Sequence, residues 1–247
     1  MHLDILGEFL GTLVLILLGN GVGMSTHLKR MLANQHGKWI MIALGWGLAV
    51  LMGVIVAFSL NSPAHLNPAV SIFALVSGSL ALWKFFVYFL VQVLGAFIGQ
   101  VILYIINYKN IKETNDWNLM RAMSATGGVY DNFNEKGLVQ NLLYEYVASL
   151  VLIGVIFALS KGKNTQAFQS LGTIPVMLLV LSIGLSLGSV SGYAINPARD
   201  FGPRLAFWVF STLVWKQKSA SAQWSYSFVP IVSPLLAGTT IGLFALI

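Results

Sequence analysis

Apolar residues crowd into six long runs, at about 3 to 23, 39 to 60, 84 to 107, 138 to 160, 172 to 190 and 226 to 247, with the polar residues gathered between them. A helix needs roughly 20 mainly apolar residues to cross about 30 Å of hydrocarbon. The pattern therefore predicts six transmembrane helices in an all-α membrane protein. Two shorter apolar stretches, about 67 to 78 and 196 to 209, each open on Asn-Pro-Ala. At 1.5 Å per residue, ten to twelve helical residues reach about 15 to 18 Å. These are half-helices, and two of them meeting end to end make one crossing.

The order is span, span, half-helix, span, and then the same again. Each half contains three full crossings, an odd number, so the second half enters from the opposite side. That is an inverted repeat, whose site is expected near the midplane, where the discontinuous helices meet. The repeats cover about 1–107 and 138–247 of a single domain, 1–247, and a polar linker at 108–137 joins them. The linker is expected to be partly ordered, because Trp117, Tyr130 and Phe133 would otherwise sit in water. Glu8, in GEFLGT, and Glu145, in YEYVAS, fall early in the first and fourth spans. Glycines recur at four-residue spacing (Gly7 and Gly11, Gly95 and Gly99, Gly184 and Gly188, Gly238 and Gly242). Such faces let helix backbones approach closely in lipid.

Composition agrees. The 247 residues are 57% hydrophobic and 9% charged, with a mean hydropathy of +0.79, against about 25% charged residues in a soluble domain. The net charge of +6 does not point to nucleic acid, because the basic residues fall mainly in connecting loops, where they suit lipid headgroups. The absence of cysteine excludes disulfides, zinc-thiolate sites and thiol nucleophiles. Apolar sequence starts almost at once, without a basic n-region or a cleavage site, which reads as a permanent first span. The Gly19–Gly23 run is no phosphate loop, since no strand precedes it and no Lys-Ser/Thr follows.

Proline is favourable in the first helical turn and asparagine is a good N-cap, so Asn67-Pro68-Ala69 and Asn196-Pro197-Ala198 are two helix starts. Their expected depth is the unusual feature. A helix N-terminus carries about half a positive charge and unpaired N–H groups, and irregular backbone is tolerated at that depth only inside protein or beside a wet cavity. The preceding residues are expected to run extended and to offer a ladder of carbonyl acceptors: Pro63, Ala64, His65 and Leu66 on one side, Tyr193, Ala194 and Ile195 on the other. Asn67 and Asn196 donate at the middle. Two positive helix ends oppose cations, and two fixed donors orient a central water so that a proton wire is interrupted.

HLNPAV at 65 to 70 and GYAINPARDFGPR at 192 to 204, set in this layout, give the whole chain a resemblance to the aquaporin superfamily, the major intrinsic proteins. Within it the chain resembles the glycerol facilitators, or aquaglyceroporins, through Asp200, Arg204 and Pro234-Leu235. The resemblance implies a selectivity filter of Trp46, Gly184, Tyr193 and Arg199. Trp46 and Tyr193 would form an apolar corner, Arg199 would take hydroxyl oxygens, and Gly184 would leave room. Each has a purely structural alternative: interfacial belt for Trp46, packing for Gly184, an aromatic support for Tyr193. An intramembrane arginine is costly and usually functional.

The resemblance further implies that Glu8 and Glu145 hold the re-entrant backbone rather than relay protons. Asp200 and Arg204 are expected to fix a loop, and the His65 ring to pack aside. Two departures stand out. The stretch from Trp46 to Asn67 is one residue longer than is typical of the subgroup, around Leu60 to Pro63, and Tyr193 stands where phenylalanine is common.

The expected function is a passive channel for glycerol with water, and for dihydroxyacetone, urea, hydrogen peroxide or undissociated lactic acid. The protein is expected to be no enzyme and to need no cofactor or metal. A water-dominated channel is the first alternative and would need the Tyr193 hydroxyl to close the aperture. A secondary transporter is the second and would need an ionisable relay. The resemblance also implies a homotetramer with cytoplasmic termini, and short tails suit a bacterial inner membrane. That orientation leaves Lys84, Lys161 and Lys163 inside. It places Lys29, Arg30, Lys38, Lys109, Lys112, Arg121, Lys136, Lys216 and Lys218 outside, against the positive-inside rule.

Overall fold

The computed structural model describes residues 2–129, 137–217 and 220–247; Tyr130, Phe133, Lys136 and Lys218 lie outside them. The described residues form helices α1 (Leu3–His27), α2 (Lys38–Phe58), α3 (Pro68–Val76), α4 (Leu82–Ile106), α5 (Tyr108–Thr114), α6 (Trp117–Ser124), α7 (Gly137–Leu159), α8 (Lys163–Phe168), α9 (Ile174–Leu187), α10 (Pro197–Val209) and α11 (Phe228–Phe244). Both half-helices begin at the predicted proline. Four helices, α1, α2, α4 and α7, are long and apolar enough to cross a membrane unaided.

The last two predicted spans form shorter helices. α9 has 14 residues, about 21 Å at the helical rise, and α11 has 17. At one end of α9, Gly172 takes a positive φ of 55°, and the preceding short helical segment bends away by 95°. At its other end the chain leaves the helix at Gly188 for the re-entrant run. The linker also contains two helices that its polarity did not announce. α6 is N-capped by Asp116, whose side chain accepts from Leu119 N at 2.9 Å, and Trp117 packs on Trp215 with ring centroids 5.1 Å apart.

The molecule is polar within and apolar outside. Glu8, Asn20, Gln92, Gln100, Asn141 and Glu145 are buried, whereas Leu44, Ile55, Leu90, Leu94 and Leu236 are exposed. In water that arrangement would be costly, and in lipid it is the expected one. α1 packs between α2 and α4, α2 against α9, and α7 against α11. The two halves hold each other's short helices, for α3 packs on α11 and α10 packs on α4. Close backbone approach makes this possible. A Cβ on Gly202 of α10 would sit 2.7 Å from Val93 O of α4, and one on Gly238 of α11 would collide with Ala69 O of α3.

Candidate solute pathway

The two helix starts meet. Asn67 (φ −157°, ψ 117°) and Asn196 (φ −157°, ψ 107°) share one extended geometry. Asn67 Oδ1 accepts from Ala69 N at 2.8 Å, and Asn196 Oδ1 accepts from Ala198 N at 3.0 Å and Arg199 N at 3.2 Å. Their amide groups reach across: Asn67 Nδ2 donates to Ile195 O and Asn196 Nδ2 to Leu66 O, both at 2.8 Å. An amide NH₂ has two hydrogens. One from each side chain laces the opposite loop, and the second remains for whatever lies beside it.

Two buried carboxylates hold the loops that lead to these starts. Glu8 accepts from Ser62 Oγ (2.6 Å), His65 N (2.8 Å), Leu66 N (2.7 Å) and Gln92 Nε2 (2.8 Å). Glu145 accepts from Ser191 Oγ (2.7 Å), Ala194 N (2.8 Å) and Ile195 N (2.8 Å). The N–H of a planar trans peptide points opposite to the preceding carbonyl. With the amides of residues 65 and 66 turned to Glu8, the carbonyls of Ala64 and His65 face away from it. The carbonyls of Tyr193 and Ala194 likewise face away from Glu145.

In a plain extended strand, successive amides point to opposite sides. The runs are not plain strands, because Ala64 (φ 54°), Leu66 (51°), Tyr193 (36°) and Ile195 (43°) are left-handed. The change of hand at alternate residues turns neighbouring carbonyls to one side. Such a conformation costs a non-glycine residue on the order of 1–3 kcal/mol, and charge-assisted bonds to a buried carboxylate are strong enough to hold it.

Both runs line a cavity of about 350 Å³ together with Trp46, Val50, Leu152 and Val180. A second cavity, of about 380 Å³, is lined by Asn20, His27, Lys38, Trp39 and Arg121 among others. Trp46, Tyr193 and Arg199 are common to the two linings. Between them the Arg199 guanidinium lies over the Trp46 ring, 4.1 Å from its centroid. Arg199 Nη1 and Tyr193 Oη are buried without a protein hydrogen-bond partner.

Gly184 lines neither cavity. A Cβ there would meet Tyr193 Cζ and Oη at 3.0 Å and Ala43 Cβ at 3.1 Å, and one on Gly188 would collide with the Tyr193 ring. The room left by Gly184 is occupied by tyrosine. Trp39, which sequence reasoning passed over as the start of a span, belongs to this neighbourhood. It lies two helical turns before Trp46, a spacing that puts both on one face of α2.

Asp200 and Arg204 sit away from the lumen. Arg204, fully buried, donates to both Asp200 carboxylate oxygens (2.7 and 2.9 Å), to Thr126 O (2.6 Å) and to Ala222 O (2.6 Å). The pair ties α10 to the end of the linker and to the segment before α11. The His65 ring stacks edge-on to Tyr88 and lies 3.1 Å from Ser71 Oγ. In the turn that ends α2, Leu60 N and Ser62 N both donate to Ala57 O (3.0 and 3.2 Å).

Two helix starts laced to each other, two cavities that share Trp46, Tyr193 and Arg199 in their linings, and an apolar exterior define a membrane channel of the kind the sequence motifs imply. The sequence profile of the major intrinsic protein family matches residues 2–245, and the chain belongs to that family. It is similar to a probable glycerol uptake facilitator protein of Mycoplasmoides gallisepticum, at 40% identity over 98% of this chain and 96% of the relative. It is also similar to glycerol uptake facilitator protein 3 of Lactiplantibacillus plantarum, at 41% identity over 96% and 93% of the two chains. Among solved structures, the aquaglyceroporin from Plasmodium falciparum superposes with a TM-score of 0.78, at 31% identity over 98% of this chain and 94% of that one. The aquaporin-like fold is thus the fold of this protein.

Proposed function

We propose that this protein is a passive channel through which glycerol and water diffuse across a membrane while ions and protons are excluded. The observation that supports this is the reciprocal lacing of Asn67 and Asn196 beside a cavity that shares Trp46, Tyr193 and Arg199 with a second cavity, where we place the constriction. The carbonyls of Pro63, Ala64, His65, Tyr193 and Ala194 take a polyol's hydroxyl hydrogens, and the free amide hydrogens of Asn67 and Asn196 donate to its oxygens. Leu66 and Ile195, whose carbonyls already accept from the asparagines, offer their remaining lone pairs. At the constriction, Trp46 and the Tyr193 ring receive the carbon backbone while Arg199 binds hydroxyl oxygens. Gly184 acts behind Tyr193 by setting where that ring stands. Cations meet a guanidinium and two positive helix ends.

The names of the relatives support glycerol over a water-dominated channel. So does the Tyr193 hydroxyl, which is tucked against Gly184 instead of closing the aperture. Coupled transport finds little support, because the buried carboxylates among the described residues are committed: Glu8 and Glu145 to backbone amides, Asp200 to Arg204. Dihydroxyacetone, urea, hydrogen peroxide and undissociated lactic acid share the size and neutrality the lumen suits. We further assign a single channel domain of two inverted repeats, 1–107 and 138–247, assembled as a homotetramer in a bacterial cytoplasmic membrane with both termini cytoplasmic.

Liposomes carrying the purified protein test the function. Under a glycerol gradient they should swell fast and without saturation, should hold back sucrose, and should show no ion conductance. Glycerol uptake that collapses when a proton gradient is dissipated would overturn the reading in favour of a transporter.

A further inference from the structure

Tyr193 lines both cavities, and its side chain makes no hydrogen bond that would fix the ring. Its φ is +36°, and its hydroxyl has no hydrogen-bond partner. Something beside the lumen must hold the ring. Gly184 of α9 and Gly188, its C-cap, lie against it, and α9 stops three residues after Gly184, at Leu187. The last four carbonyls of a helix lack an intrahelical amide, and Gly184 O is one of them. Trp39 supplies the donor: its indole Nε1 bonds Gly184 O at 3.1 Å. The same indole meets the Tyr193 ring edge-on, with centroids 6.0 Å apart and planes at 72°, a favourable aromatic geometry. Trp39, Gly184 and Tyr193 thus form a closed triangle behind the constriction. Trp39 lines the second cavity and not the first, so it stands on one side of the constriction.

We propose that Trp39 is a specificity-determining positioning residue, which sets the aperture by pinning the end of α9 and the Tyr193 ring to the first turn of α2. The inference rests on the channel reading above and deepens it. With the indole removed, Tyr193 can relax outward, and the solutes that gain most are those nearest the size limit. Glycerol already passes, and water is too small to sense the change.

The test compares wild type, Trp39→Ala, Trp39→Phe, Tyr193→Ala and the double variant Trp39→Ala/Tyr193→Ala in liposomes, measuring permeability to water, glycerol, erythritol and xylitol. Trp39→Ala should raise the erythritol-to-glycerol ratio about fivefold, the effect expected of one lost hydrogen bond with its aromatic contact, and leave water nearly unchanged. Trp39→Phe, which keeps a ring and loses the N–H, should move the ratio the same way by less, and it carries the test should the alanine variant fail to fold. In the Tyr193→Ala background Trp39→Ala should add nothing, because its effect runs through the tyrosine. A ratio that stays fixed while all permeabilities fall together, or effects that add in the double variant, would overturn the proposal. Wild-type liposomes closed to glycerol would overturn the channel reading and this proposal with it. A conducting wild type with an unmoved ratio removes only the role of Trp39.

Discussion

The re-entrant run of the first half, 62–71, and that of the second, 191–200, match contact by contact at a constant offset of 129 positions. Ser62 and Ser191 bond their glutamates, His65 and Ala194 give the first amide, Leu66 and Ile195 the second, and Asn67 and Asn196 cross over. The match ends just beyond the helix start. Val70, Ser71 and Leu75 of the first half correspond to Arg199, Asp200 and Arg204 of the second. In the first half Ser71 bonds Gln92 and His65 and carries no charge of its own. In the second, a buried ion pair braces α10 while a third charge lies at the constriction. The symmetric part lines the first cavity, and on the proposed function the asymmetric part is the one that discriminates. Substitutions should sort the same way: losses at matched positions should cost stability in either half, and losses at unmatched ones should act only on the second.

The largest effect falls on the shared anchors. Glu8→Ala or Glu145→Ala leaves three or four buried donors unpaired beside strained residues, at about 1–3 kcal/mol for each donor. Both variants should fail to fold or lose most of their thermal stability in detergent. A tolerated loss in one half alone would show that the match in contacts is not a match in energy. Next comes the bracing pair. Arg204→Leu strands Asp200 in the interior and should cost about 3–5 kcal/mol. The double variant Asp200→Ser/Arg204→Leu gives the second half the residues of the first, buries no lone charge, and should be the more stable of the two by thermal unfolding. If the double variant is instead the less stable, the brace does more than neutralise itself.

Arg199→Val extends the same logic to selectivity. Stability should change little, since Val70 occupies the corresponding position. A hydrogen bond to a charged donor is worth about 1.5–3 kcal/mol, so preference for glycerol over 1,2-propanediol should fall about tenfold, with cation leakage detectable across liposomes. An unchanged preference would place glycerol discrimination elsewhere than in the guanidinium.

How much of this was legible depends on the range of the interaction. The helix starts at Asn67 and Asn196 were readable because capping and proline chemistry act within three residues, and Glu8 and Glu145 stood out as charges at matching places in apolar spans. The left-handed turns at Ala64, Leu66, Tyr193 and Ile195 carried no local sign, since none is a glycine and remote carboxylates impose them. α5 and α6 were hidden for a related reason: they are short, polar outside, and made by packing on distant residues such as Trp215. Trp39 drew no notice in the sequence because its partners, Gly184 and Tyr193, come from the other half. That Gly184 leaves room is legible in the sequence; that the room holds the Tyr193 ring is not, because the distinction needs the position of Tyr193.

That distinction yields the smallest and sharpest test. In Gly184→Ala the added methyl would lie 3.0 Å from the Tyr193 ring and hydroxyl, so one of them must give by a few tenths of an ångström. Overpacking costs about 1–3 kcal/mol, partly offset by about 1 kcal/mol of helix propensity gained on replacing glycine in α9. The net loss of stability should therefore lie between about 0 and 2 kcal/mol. Ala43 Cβ, at 3.1 Å from the added methyl, backs the helix side, whereas Tyr193 lines the cavities on its other side, so the ring is the part that yields, and it yields inward. Glycerol permeability should fall about two- to threefold while water is little affected, a free-energy change of about 0.5 kcal/mol at the constriction. An alanine that left the glycerol-to-water ratio untouched would mean that Tyr193 has slack behind it, and that the width of the constriction is set by Trp46 and Arg199 alone.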